Sequence, residues 1–66
     1  MSQFYIANQK DLRRCRHSME TQWPLLITGM TIDGHLKTFR GIVQSIDEDA
    51  DREDGIHFKI TLREPK

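Results

Sequence analysis

The sequence predicts a mainly β fold, or at most a small α+β one, in which three to five antiparallel strands form a small barrel beside one short N-terminal helix. Three observations predict it. Residues 25–32, Leu-Leu-Ile-Thr-Gly-Met-Thr-Ile, are rich in β-branched and apolar side chains. Asp33-Gly34 then supplies a turn, after which an extended pattern resumes from Leu36 to Ile46. Finally, Ile56, Phe58, Ile60 and Leu62 alternate with His57, Lys59, Thr61 and Arg63, which reads as one apolar and one solvated face.

The elements follow in order. Phe4-Tyr5-Ile6 places three β-formers together in an otherwise polar N-terminal stretch, so residues 3–6 are read as a short strand. Asn8, with Asp11 three residues on, can cap a helix, because a short polar side chain accepts one of the free N–H groups and an acid in the first turn suits the helix dipole. Leu12, Cys15 and Met19 then recur on one helical face while Lys10, Arg13, Arg14, Arg16 and His17 fall elsewhere. Pro24 disfavours a helical Trp23, so the helix is expected to stop near residues 19–21.

Strands are expected at about 25 to 32, 35 to 46 and 55 to 63. A two-residue loop at Asp33-Gly34 would oppose Ile32 with His35 and Met30 with Lys37, mixing apolar and polar partners. An odd loop, such as three residues with a bulge, instead sets Leu26, Met30 and Ile32 on the side of Leu36 and Ile42, and is the expectation. Phe39 has one parity and Ile42 and Ile46 the other, with Gly41 between, so a bulge or bend is expected at Gly41. Such a bend lets one strand serve two neighbours. Pro65 ends pairing.

Sixty-six residues make one small domain, 1–66, and a chain of that size buries only about 60% of its unfolded surface. Its apolar content of 36% supports a small core but not a deep cleft beside it. Cys15 is the only cysteine, so no internal disulfide forms, which fits a reducing compartment and leaves a partner or a second copy as the usual staple for a small fold. No window spans a bilayer and the first residues lack the regions of a secretory signal. The expectation is a cytoplasmic protein without membrane contact.

The net charge is zero but sorted: residues 1–46 carry +3, residues 47–54 carry −5 and residues 55–66 carry +2. A uniformly basic nucleic-acid footprint is therefore missing, and any anion site has to be local. Arg13, Arg14 and Arg16, with His17 beside them and Lys37 and Arg40 on the second long strand, are the candidates, since guanidinium presents a planar fork to phosphate or carboxylate. The plain alternative is a solvated helix face, with Arg16 pairing Glu20 at i, i+4. The two-arginine spacing of PilZ-type cyclic-dinucleotide receptors is not present, so that function is not carried over.

Asp47, Asp49 and Asp51 match the first ligand positions of a calcium loop, but Arg52 stands where the turn needs Gly and Phe58 where the closing Glu belongs. The stretch 47–54 is read as a solvated acidic loop. Cys15, His17, His35 and His57 have no zinc-site spacing, so neither a metal nor a cofactor is expected, and no catalytic residue is assigned. Trp23, Tyr5 and Phe39 are read as core rather than as a binding surface.

Gly34, Gly41 and Asp47, with Leu36, Val43 and Ile46 among the apolar positions, resemble the first motif of the Sm-like RNA-binding fold. The resemblance covers about a third of the chain, its Gly-to-Gly interval is longer here, and no second motif follows. It implies a small Sm-like barrel with an RNA surface, while the expected bend of the second long strand suits an SH3-like or similar small-barrel topology. Two functions are carried forward. The first is a non-enzymatic interaction module working through a protein partner or as a homo-oligomer. The second is an RNA or nucleotide-phosphate binder using the five cations named above.

Overall fold

The fold was read from a computed structural model that describes residues 2–49 and 57–64. Its elements run β1 (Ser2–Ile6), α1 (Gln9–Thr21), β2 (Leu25–Met30), β3 (Leu36–Asp49) and β4 (His57–Arg63). All strand pairs are antiparallel and the order β1-β2-β3-β4 closes into a ring, so the protein is mainly β with one helix. The expected N-terminal strand is present and does the closing. It pairs β4 over five positions, from Ser2–Leu62 to Ile6–Phe58, and meets β2 at Tyr5–Met30. β2 and β4 are therefore both neighbours of the same short strand, although β2 meets it at one position only.

The helix starts and stops where local chemistry directs. The Asn8 side chain accepts the Asp11 backbone N–H at 2.7 Å, and its amide donates to the Asp11 carboxylate at 2.9 Å, a reciprocal cap. Gln22 ends it in a left-handed conformation, φ 61°, its N–H donating to the Ser18 carbonyl. Leu12 and Cys15 are buried on the inner face, with Met19 packed against the same cluster, as the periodicity predicts.

The hairpin has the odd loop. Thr31 donates to the His35 carbonyl at 2.7 Å, leaving Ile32, Asp33 and Gly34 as the loop, and Gly34 donates back to the Thr31 carbonyl with its own φ at +88°. The side facing inward is nevertheless the opposite of the one expected. Ile27 and Gly29 point to the core, while Leu26, Ile32 and Leu36 are 60%, 80% and 74% exposed. Phe4 explains the inversion: its ring occupies the space where a Cβ on residue 29 would sit, so β2 turns its glycine inward. Phe39, in register with Ile27, stacks on Phe4 with centroids 4.6 Å apart and planes 13° apart. β2 also ends at Met30, two residues short of Ile32, because Thr31 opens the turn.

β3 serves two neighbours, and the change falls at Gly41. Residues 36–41 pair with β2, and from Ile42 onward the strand pairs with β4. The register shift expected at Gly41 lies instead between Val43 and Ser45, and Gly41 has no positive φ. Its role is closeness: a Cβ there would lie 2.6 Å from the Arg63 carbonyl oxygen. β3 also runs further than Ile46, carrying Asp47 opposite Lys59 and Glu48 opposite Phe58. Residues 50–56, and with them most of the acidic stretch, the Asp51 and Arg52 positions of the calcium comparison and Ile56, lie outside the described residues, as does Pro65.

β4 lacks the solvated face that alternation suggests. His57 and Thr61 are buried along with Ile60 and Leu62. The cause is its place between β1 and β3, with Gln3 donating across to the Thr61 hydroxyl at 3.4 Å and Arg63 donating to the Gln22 side chain at 2.7 Å. The core is Phe4, Ile6, Leu12, Cys15, Ile27, Val43, Ile60 and Leu62. No helix among the described residues is long and apolar enough to cross a membrane.

Candidate functional site

Trp23 is the residue that defines the site, and it is not in the core. Its side chain is 70% exposed. The backbone dictates this. Ser18, buried on the inner face of α1, donates its hydroxyl to the Trp23 carbonyl at 2.6 Å, which turns the peptide inward and the indole outward. The same Ser18 oxygen accepts the Val43 N–H at 3.2 Å, so one hydroxyl ties the helix end, the Trp23 bend and the centre of β3. Ser18 escaped the sequence reading, although its spacing of three from Cys15 puts it on the buried stripe.

Beside the indole lies a groove of about 310 Å³ lined by Arg13, Arg14, His17, Trp23, Pro24 and Leu25, with Ser18 also at its wall. Its wall is mainly apolar and its rim cationic. Helical spacing brings Arg13 and His17 together at i, i+4, with Arg14 next to them. Among the described residues Arg13 has no hydrogen-bond or ion-pair partner. Arg14 is partly held, donating to the Leu26 carbonyl at 2.7 Å and standing 3.9 Å from the Asp11 carboxylate. That carbonyl belongs to the edge of β2 that β1 reaches only at Met30.

Arg14 also borders a second depression, which includes Leu26, Thr28 and Thr38. The groove therefore continues over Arg14 onto the outer face of the β2–β3 hairpin, where Thr28 and Thr38 hydroxyls lie 3.3 Å apart and Leu26 and Leu36 are exposed. Of the other candidate cations, Arg16 is exposed on α1 and does not line the groove. Lys37 is in register with Gly29, and Arg40 with Leu26, the residue whose carbonyl Arg14 holds. Lys37 and Arg40 have opposite parity on the strand, so the five candidates are not gathered at one point.

Cys15 is buried, and its thiol is pushed up to about 11, first by burial, then by the Asp11 carboxylate, with Arg14 opposing. A thiol so placed stays protonated at neutral pH and is the reverse of an activated nucleophile. Among the described residues no three His, Cys, Asp or Glu side chains come together as a metal site. Compared with models of protein families, with curated proteins and with solved structures, the chain matches none.

Proposed function

We propose that this chain is a small non-enzymatic interaction module that acts through protein contacts, built on a small barrel of SH3-like or Sm-like type. The passage of β3 from β2 to β4 at Gly41 supports the barrel reading. The observation that carries the function is the exposure of Trp23, Leu26, Ile32 and Leu36 in so short a chain. The exposed Trp23, set against Pro24 and Leu25 and rimmed by Arg13 and Arg14, is apolar surface of the kind that marks a place where another protein is met. A tryptophan with arginine beside it is also the usual composition of an interface hot spot.

A second reading is favoured by one arrangement. An exposed indole beside Arg13 and Arg14 is what a nucleotide needs, a face for the base and forks for the phosphate. Two assays run side by side separate the readings: selection of a displayed random-peptide library on the immobilised chain, and binding of an oligouridine at increasing salt. The interaction module yields peptides whose binding is lost on Trp23→Ala. Recovery of no peptide, together with salt-sensitive oligouridine binding tighter than about 1 μM at physiological salt, would replace it with the nucleotide-phosphate reading.

A further inference from the structure

We infer that the groove beside Trp23 takes an acidic protein segment, one large apolar side chain seated against Trp23, Pro24 and Leu25 with carboxylates on either side of it facing Arg13, Arg14 and His17. This rests on the protein-contact reading and names the chemistry of the partner.

Charge complementarity carries it. Among the described residues the groove is lined by two arginines and a histidine and by no carboxylate. Of the acids on α1, Asp11 pairs with Arg14 at 3.9 Å and offsets part of its charge, while Glu20 is not among the lining residues, so Arg13 is the arginine left for a ligand. Arg13 has no partner among the described residues, so its fork is unoccupied at the rim. A bound carboxylate would gain a charge-assisted, two-pronged bond there without first breaking one. The groove, about 310 Å³ and mainly apolar along its wall, has room for one large side chain.

The same features count against a polyanion. Single strands are held by successive stacking platforms along a positive track. Here Trp23 is the only tryptophan, Phe39 is already stacked on Phe4, and Tyr5 is half-buried at a different depression, beside His57. The chain carries no net positive charge, and residues 47–54 bring −5. A polymer with a charge on every unit needs cations beyond the local rim, which a chain of zero net charge supplies sparsely, whereas a segment with two or three carboxylates needs only the rim.

The test uses the peptides recovered from the displayed library. A representative peptide is synthesised as selected and with every Asp and Glu replaced by its amide, and both are titrated into wild type, Arg13→Gln, Arg13→Gln with Arg14→Gln, and Trp23→Ala. The expected result is enrichment of Asp and Glu around one apolar residue, about tenfold weaker binding by the amide peptide, and loss of that difference in the double arginine variant. Trp23→Ala is expected to weaken both peptides by about 30-fold. Arg13→Gln guards against a folding artefact, because Arg13 supports no described contact, and should reproduce part of the loss with an unchanged melting curve. Neutral or basic consensus peptides, or equal binding of acid and amide forms, would overturn the acidic partner and leave the protein-contact reading standing. Recovery of no peptide at all would overturn both.

Discussion

The Ser18 hydroxyl lies 2.6 Å from the Trp23 carbonyl and 3.2 Å from the Val43 amide nitrogen, so the exposure of the indole and the anchoring of β3 depend on the same oxygen. Ser18→Ala would strip the Val43 N–H of its partner in a fully buried position. A loss of about 1–3 kcal/mol in urea unfolding is expected. Unchanged unfolding would mean that the amide finds another acceptor and that the Trp23 bend is held by something else.

Gly41 is needed for room rather than for bending. Gly41→Val places a branched Cβ against the Arg63 carbonyl, so strands β3 and β4 have to separate just where β3 changes partner. A cost of at least about 1 kcal/mol is expected from such overpacking. Thermal melting checks it, and an unmoved midpoint would show that the close approach is relieved at no cost.

Gly29 and Phe4 are coupled in the same manner but through a side chain, which can be altered in turn. Gly29→Ala should destabilise by about 1–3 kcal/mol, since the new methyl overlaps the Phe4 ring. Phe4→Leu should cost about as much alone. Combined, the two should cost less than their sum, because the smaller residue frees the space the methyl needs. Strict additivity in a double-mutant cycle would contradict the packing described.

How far the sequence carries a reader depends on whether the deciding neighbour is close in the chain. The Asn8–Asp11 cap, the buried Leu12 and Cys15, and the odd loop at Thr31 to His35 depend on residues within a few positions of each other, and periodicity and turn chemistry suffice to find them. The inward face of β2 is different. Its parity is decided by a ring from β1, which local patterning of Leu26, Met30 and Ile32 cannot register. Trp23 fails for another reason: its neighbour Ser18 is only five residues away, but hydropathy assigns a lone tryptophan to the core and carries no sign of the bond from the Ser18 hydroxyl to the Trp23 carbonyl. Arg13, Arg14 and His17 were legible as a basic cluster, but not as the rim of a groove whose wall comes from residues 23–25.

Cys15 gives a pH signature. Its thiol is raised from 9.0 to about 11 in the folded chain, so the unfolded chain loses the proton first as pH rises. The folded state then holds more protons than the unfolded one across that interval. The contribution is fully present below pH 9 and is lost as pH passes through about 11. The stability difference between wild type and Cys15→Ala should therefore shrink across this window in chemical denaturation, and the native thiol should resist a disulfide reagent at about pH 8 until urea is added. Prompt labelling of the native protein would place the thiol at the surface.

The emission of Trp23, the chain's only tryptophan, tests the central claim most directly, because the indole reports from the wall of the groove itself. Titration with a selected acidic peptide is expected to shift the emission to shorter wavelength and to saturate, with little response to an oligouridine at the same salt. An emission that the peptide leaves unmoved, or one that the oligouridine shifts as strongly, would contradict protein contact at this surface.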